Sequence, residues 1–410
     1  MKRIFIAGIL IIFGMTVFAQ DMAHYTREYM RQDGSYVDRL IVLEQIRDAG
    51  ITGIGEFYHE ALKFLLLRDP DIRDIPEQTA AERSAIILSQ GLGNEGVAAA
   101  AHDLWRTVEA YSITREGRPA IDPNVMQAAL IALGQINGTE FLPQIVQLLN
   151  DFNTQSVTNA EARRRMQTVV IGCISALEAM KDISGYRPVF FVSVGSYDPN
   201  IRQLASAALP NIAVDPGEII TSIIVDPSTT PDIKIVAWNE MLKTSAPASS
   251  KASVAAAALA TGWTYATTNL PHIAQLREMR KSAINAIRQF GVADDSVYTN
   301  LERSYTSNFT SNQPDYDEIT AVLNALAAIK SEEAVDLLYK FLLELHNRRR
   351  GGQWRRDRER QIFEWLNACI GITGTRSEQV RLLLTTISRA SEYTSAEQRM
   401  ARNALTQLGN

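Results

Sequence analysis

The sequence predicts an all-α fold, an α-α superhelix in which short helical hairpins stack one upon the next. Two observations predict it. Apolar residues recur with the period of amphipathic helices along most of the 410-residue chain, while strand patterns are scarce. The same two-helix pattern also recurs at intervals of about forty residues. Because one such hairpin cannot bury its apolar face alone, each needs a neighbour on either side.

The composition is that of an ordered globular protein. Hydrophobic residues make up 46% of the chain, and there are only 14 Pro and 23 Gly. The formal net charge of −5 argues against a dedicated nucleic-acid-binding protein, which usually carries a basic surplus. The two cysteines, Cys173 and Cys369, lie far apart in apolar stretches of helical pattern. We therefore expect buried free thiols rather than metal ligands.

Residues 1–19 have the pattern of a secretory signal peptide. Two basic residues precede an apolar run, and small residues then predict cleavage between Ala19 and Gln20. An uncleaved membrane anchor is the alternative, but the apolar run is shorter than the roughly 20 residues that cross a bilayer. We expect a periplasmic or secreted protein that has no transmembrane segment after signal cleavage.

The clearest helical hairpin covers residues 124–151. The apolar stripe of its first helix consists of Ala129, Leu130, Leu133 and Ile136. Asn137 and Gly138 follow, and both tolerate positive φ, which ends a helix at little cost. The stripe of the second helix consists of Phe141, Ile145, Leu148 and Leu149.

One column of residues makes the repeat register visible. Each first helix closes with a large apolar residue, namely Leu92, Ile136, Met180, Ile212, Leu242, Phe290, Ile329, Ile372 and Leu408. The positions three residues earlier include Leu133, Leu177, Leu209, Ile287, Leu326, Cys369 and Leu405. The positions seven residues earlier include Ala129, Cys173, Ala205, Ala283, Val322 and Ala401. Counted from Ile46, successive closing residues are 30 to 48 positions apart.

This pattern resembles HEAT repeats, which belong to the armadillo-type class of α-solenoids. The resemblance is strongest in residues 124–151, 198–226 and 315–345, and weakest in 20–115 and 227–270. HEAT repeats are defined by pattern rather than by invariant residues, so the resemblance implies a fold and no functional residue. The alternative is an irregular bundle whose helices merely have similar lengths.

The predicted organisation is a short N-terminal segment, residues 20–34, followed by a HEAT-like solenoid over residues 35–410. The solenoid would have about nine hairpins, in degenerate repeats over 35–115 and clearer repeats over 123–393, and a capping helix over 394–408. The apolar face of that last helix would consist of Met400, Ala401, Ala404, Leu405 and Leu408. Its solvated face would consist of Glu397, Gln398, Arg402, Asn403 and Gln407.

Signatures of enzymes and metal sites are missing from the sequence. None of the five histidines pairs at the spacing of a helical zinc site, and no nucleophile or phosphate-loop motif is present. Residues 69–74 contain three aspartates but lack the glycine and glutamate of a calcium loop, so we interpret them as a solvated linker. Asp315, Asp317 and Glu318 lie where a helix begins and would stabilise its first turn. We expect no catalysis, no metal and no cofactor.

Residues 346–361 carry seven arginines between two predicted repeats. The candidate partner-binding residues are Arg348, Arg349, Arg350, Trp354, Arg355, Arg356 and Arg358. In one interpretation the arginines are solvated or pair with acids such as Glu332, Glu333 and Glu364. In the other they bind an anionic partner, because the guanidinium fork fits carboxylates and phosphates. Arg348, Arg349 and Arg350 would lie at the C-terminal end of a helix, where the helix dipole favours positive charge.

The expected function is that of an exported, non-catalytic scaffold or adaptor. It would bind a protein or peptide partner of the bacterial cell envelope along the solenoid surface, on a face lined by second helices. Two alternatives remain open. One is a peripheral adaptor that docks onto anionic membrane or cell-wall polymer through residues 346–361, and the other is an envelope enzyme with an unrecognised site. No nucleic-acid partner is expected, because the signal peptide removes the protein from the cytoplasm.

Replacing Arg348, Arg349, Arg355 and Arg356 together by serine tests the arginine-rich stretch. If it binds an anionic partner, partner capture falls in the variant, and capture by the native chain weakens steeply as salt rises, since exposed charges are screened within roughly 8–10 Å. Pull-down at low and high ionic strength measures both effects. Unchanged capture by the variant would exclude the anionic-partner interpretation.

Overall fold

The structure, a computed structural model, describes residues 23–67, 74–113, 121–311, 313–353 and 376–408. This described part is helical and contains no strand, so the predicted all-α fold is confirmed. It divides into two compact units, of which the first ends at Ala213 and the second begins at Val214. No helix in it is long and apolar enough to cross a bilayer.

The first unit alternates its helices between two layers. They are α1 (23–29), α2 (Tyr36–Asp48), α3 (Gly55–Leu67), α4 (Ile75–Glu95), α5 (Ala101–Ala110), α6 (Pro123–Gln135), α7 (Leu142–Thr154), α8 (Ala160–Met180), α9 (Tyr186–Val194) and α10 (Pro199–Ile212). Helices α2, α4, α6, α8 and α10 pack on one another in that order, and α3 packs on α5 as α7 does on α9. Each odd-numbered helix from α3 to α9 also packs on the even-numbered helix that follows it.

The second unit is built in the same way. Its helices are α11 (Gly217–Val225), α12 (Pro231–Lys243), α13 (Ala248–Thr264), α14 (Leu270–Phe290), α15 (Ser296–Thr310), α16 (Tyr316–Ile329), α17 (Glu332–Arg350), α18 (Ser377–Arg389) and α19 (Ser395–Leu408). Helices α12, α14 and α16 form one layer, and α11, α13, α15, α17 and α18 form the other. Helix α19 packs against α18. In both units most helices pack on the next helix but one, which is the contact pattern of stacked helical hairpins.

Most of the repeat column found in the sequence lies in the core of the two units, although the closing residues Leu242, Phe290, Ile329 and Leu408 are half-buried. Its small members, seven positions before each closing residue, are fully buried, namely Ala129, Cys173, Ala205, Ala283, Val322 and Ala401. The members three positions before the closing residue are buried at Leu133, Leu177, Leu209, Ile287 and Leu326. Burying one large apolar side chain stabilises the fold by about 1.5–3 kcal/mol, so this column contributes much of the stability. Ile372 and Cys369 lie outside the described residues.

Helix starts are set by proline and by capping side chains. Asp122 accepts a hydrogen bond from the Asn124 backbone N–H at 2.9 Å, and Pro123 occupies the first turn of α6, where its missing N–H costs nothing. Ser331 caps α17 by accepting from the Ala334 backbone N–H. The segment at 189–194, whose apolar run is the best strand candidate, lies in helix α9, as its place in the register predicts.

The turns that end the first helices share one backbone feature. Asn137, Lys181 and Lys330 directly follow closing residues and have φ angles of 55°, 54° and 58°. Gly291 occupies the same place after α14, with φ 96°. The turn at Asn137 confirms the prediction. The two lysines are less expected, because most residues other than glycine and asparagine lose roughly 1–2 kcal/mol in the left-handed region.

Helices α6 and α8 approach each other backbone to backbone. A Cβ added at Gly134 would lie 2.8 Å from Ala176 Cα, and one added at Gly172 would lie 3.0 Å from Gln127 Cα. Both glycines are buried within helices, where glycine is otherwise unfavourable by about 1 kcal/mol relative to alanine. The close contact between the two helices therefore depends on the missing side chains.

Polar side chains join neighbouring hairpins at the repeat distance. Trp238 Nε1–H donates to Ser282 Oγ at 3.0 Å, and Trp263 Nε1–H donates to Ser304 Oγ at 2.8 Å. These bonds span 44 and 41 residues, which matches the period of about forty in the sequence.

Buried lysines complete the C-terminal ends of two helices. Lys234 is fully buried in α12 and donates to the backbone carbonyls of Ile224 and Asp226, at the end of α11. Lys251 donates to the Thr244 carbonyl at 2.7 Å, at the end of α12. Burial lowers the pKa of Lys234. These ammonium groups satisfy carbonyls that have no partner within their own helix.

The last helix, α19, departs from the prediction at one residue. Glu397, expected on the solvated face, is fully buried. It lies one turn before the buried Ala401 on the same helix face, and its carboxylate accepts from the Thr394 backbone N–H at 2.6 Å. Because Glu397 caps the start of α19 and also pairs with Arg349 at 3.2 Å, its charge is held inside the fold.

Replacing Gly134 by alanine should destabilise the first unit. The added methyl group meets the backbone of Ala176, and such overpacking costs about 1–3 kcal/mol, more than the roughly 1 kcal/mol gained in helix propensity. We expect a net loss of about 1 kcal/mol or more in urea denaturation. Gly351→Ala is the control, since its nearest neighbour lies at an ordinary 3.4 Å and its φ is −75°. A Gly134→Ala protein at least as stable as the native chain would contradict this account.

Candidate functional site

The arginine-rich stretch lies partly at the end of α17. Arg348, Arg349 and Arg350 occupy the last turn of this helix, where the helix dipole favours positive charge, as predicted. The other candidate residues of the stretch lie outside the described residues, namely Trp354, Arg355, Arg356 and Arg358.

Arg349 binds other parts of the same chain. Its Nη2 lies 3.2 Å from the Glu397 carboxylate, and its Nε donates to the Glu392 carbonyl at 2.7 Å. The guanidinium also lies 5.3 Å from the centre of the Tyr393 ring. Only 11% of the Arg349 side chain is exposed. These contacts join α17 to the start of α19 and give Arg349 a structural role.

Arg348 and Arg350 are more accessible than Arg349. Arg348 donates to Glu344 at 2.8 Å, lies over the Phe309 ring at 4.5 Å, and keeps 31% of its side chain exposed. Arg350 is exposed. Among the described residues, Arg348 thus pairs with Glu344 and Arg349 with Glu397, and Glu364 lies outside the described part of the chain.

A buried histidine lies beside this junction. His346 Nδ1 and the Tyr393 hydroxyl are 2.9 Å apart, and their rings are stacked within 3° of parallel. Burial, together with the nearby charge of Arg350, lowers the pKa of His346. Burial also raises the pKa of the Tyr393 hydroxyl. Both groups are therefore neutral at physiological pH.

The acids at the start of α16 have two different roles. Asp315 accepts from the backbone N–H groups of Asp317 and Glu318, as the sequence predicts. Glu318 is instead fully buried and binds Arg280 through two bonds of 2.8 and 3.0 Å, while Arg280 lies 3.9 Å from the centre of the Trp263 ring. The sequence gives no signal for this pair, because its members are 38 residues apart.

The described part of the chain contains one cysteine thiol. Cys173 is fully buried, as predicted, and burial raises the pKa of its thiol to about 12, which keeps it protonated. Cys369 and the aspartates of residues 69–74 lie outside the described residues. No group of histidine, cysteine, aspartate or glutamate side chains that could hold a metal ion occurs among the residues described.

A groove of about 540 Å³ lies between α4 and α6 in the first unit. We call it the amide groove, because five of its eight lining residues carry amide side chains: Gln90, Asn94, Asn124, Gln127 and Gln135. The other three are apolar: Ile86, Ala128 and Ile131. Within the described part of the chain, the lining thus contains no charged and no aromatic side chain.

Most amides of the groove are available to a ligand. Gln90, Asn94, Gln127 and Gln135 make no side-chain hydrogen bond to any other group in the described part of the chain. Asn124 instead donates to Asp122 at 2.7 Å. The sequence analysis missed this groove, because its residues are divided between two helices and belong to no motif.

A glycine on α4 shapes one end of the amide groove. A Cβ added at Gly93 would lie 2.0 Å from Gln135 Oε1 and 3.0 Å from Ala132 Cα. The glycine therefore lets the Gln135 side chain lie against α4.

A smaller, charged cleft of about 360 Å³ adjoins the other end of the groove at Asn124. Its lining includes Asp122, Glu161, Arg164 and the buried Glu82, whose pKa is raised by burial. Charged side chains thus lie next to the groove at its Asn124 end.

The folded state should lose stability in acid through His346. Because its folded pKa lies below the unfolded value of about 6.5, the unfolded chain binds more protons as pH falls below that value. We expect up to about 1.4 kcal/mol to be lost per pH unit between the two pKa values. Urea denaturation of the native chain and His346→Gln at pH values from about 7.5 to 5 measures this loss. An equal acid dependence in both proteins would refute the role of His346.

No known protein-family model matches the chain, and a search of curated proteins finds no significant match. HEAT-family membership therefore stays a prediction, and functional inference depends on the surfaces described above.

Proposed function

We propose that the protein is an exported, non-catalytic scaffold or adaptor that binds a protein or peptide partner of the bacterial cell envelope. The observation that supports this most directly is the amide groove, an open site between two helices in which four amide side chains have no hydrogen-bond partner among the described residues. The site lies on first helices, whereas the sequence led us to expect a binding face made of second helices.

The composition of the groove favours binding over catalysis. Amide side chains donate and accept hydrogen bonds but do not transfer protons near neutral pH. The described lining residues include no nucleophile, acid or base, which general acid–base or covalent catalysis would require. The groove lies between two helices that pack on each other, so its backbone is part of the folded first unit.

The arginines at the end of α17 support a second candidate function. Arg350 is exposed and Arg348 is partly exposed, so an anionic membrane or cell-wall polymer could contact both. Arg349 contributes less to such a surface, since it binds Glu397 and Glu392. Substituting Arg350 alone therefore tests this adaptor role without disturbing the junction with α19.

Photo-crosslinking in intact cells tests the scaffold function. A photoreactive residue replaces Gln90 or Gln127 in the groove, and Gln144, exposed on α7 of the opposite layer, provides the matched control. We expect a discrete crosslinked protein from the two groove positions and none from Gln144. A photoreactive residue at Arg350 examines the arginine surface in the same experiment. Groove positions that capture no protein in producing cells would contradict the proposed function.

A further inference from the structure

We infer that the amide groove binds the main chain of an extended, uncharged polypeptide segment of the partner. This inference rests on the proposed function and adds the chemical class of the segment. It follows from the hydrogen-bonding capacity of the lining, from the dimensions of the groove and from its lack of charge.

The first step is the match of hydrogen-bonding groups. Each glutamine or asparagine side chain has one carbonyl acceptor and two N–H donors, and each peptide unit has one carbonyl and one N–H. The groove holds four such side chains with no protein partner in the described chain, at Gln90, Asn94, Gln127 and Gln135. Together these side chains offer four carbonyl acceptors and eight N–H donors, which can pair with main-chain groups whatever side chains the bound segment carries.

The second step is the geometry of the two helices. Glu82 and Asp122 line one cleft, and Gly93 lies against Ala132, so α4 and α6 run parallel and flank the groove along its length. From Asn124 to Gln135 the helix rises about 17 Å. An extended chain advances about 3.3 Å per residue, so about five residues fill the groove.

The third step is the absence of charge. Among the residues that the structure describes, the lining has no lysine, arginine, aspartate or glutamate, so a charged side chain placed there would lose water without gaining an ion pair from them. Ile86 and Ile131 lie among the amides and provide apolar contacts for small or aliphatic side chains. None of the described lining residues has an aromatic ring on which a sugar ring could stack, which favours a peptide over a glycan.

Displayed peptides provide the test. Random peptides of about nine residues, long enough to exceed the groove, are selected on the purified protein and then synthesised. We expect uncharged sequences whose affinity falls about tenfold in the double variant Gln90→Ala, Gln127→Ala, because two hydrogen-bonding groups are lost. Gln144→Ala, on the opposite layer, should bind like the native protein. Thermal unfolding of each variant verifies that it is folded.

Two further measurements are specific to main-chain recognition. Methylation of individual backbone nitrogens in the selected peptide should abolish binding at some positions, and the affinity should change little between about 50 mM and about 500 mM salt. Selected peptides that tolerate every N-methyl group, that bind the double variant equally well, or that a neutral oligosaccharide displaces would overturn the inference. So would a selection that yields only charged, salt-sensitive sequences.

The two proposals can fail separately. If crosslinking at Gln90 captures a partner but binding ignores N-methylation, the scaffold function stands and the main-chain inference is wrong. If no partner is captured in cells, the proposed function itself fails, whatever peptides the selection returns.

Discussion

Each hairpin in this protein depends on its neighbours to bury its apolar face. The buried column that contains Ala129, Cys173 and Ala205 shows how this dependence is met, since small side chains let consecutive first helices approach closely. At Gly134 and Gly172 even a methyl group is absent, and α6 and α8 touch through their backbones. The even-numbered helices of the first unit are therefore held together by the close packing of small residues. The exposed faces of these helices remain available for polar residues.

The parts of the fold that could be predicted are those determined locally. Helical periodicity and the small residues of the column specify the hairpins, and Asn137 marks a turn because asparagine tolerates positive φ. Glu397 could not be predicted, because its burial depends on Arg349, which lies 48 residues earlier in the chain. The burial of Lys234 could not be predicted either, although its carbonyl partners lie only 10 and 8 residues earlier in the chain. Nothing in the local pattern indicates that its ammonium group binds carbonyls of the preceding helix.

In the candidate sites, too, features that are continuous in sequence could be predicted, whereas contacts between distant residues could not. A run of arginines is obvious in a sequence, yet the structure gives Arg349 a role in joining α17 to α19. The amide groove has no sequence signature, because Gln90 and Gln127 become neighbours only when α4 and α6 pack in parallel. In a repeat protein, a binding surface is composed of exposed residues from successive hairpins, and the register that aligns them is set by the core.

The burial of Lys234 has a consequence for the chemistry of the protein. Its ammonium group is enclosed between α11 and α12 and bound to two carbonyl oxygens, so an acylating reagent can reach it only after those helices separate. Exposed lysines such as Lys181 and Lys330 react from the folded state. The rate at which Lys234 is acylated, compared with theirs, therefore reports how often this part of the second unit opens. Local unfolding of this part of the molecule can thus be followed through the chemistry of one of its own side chains.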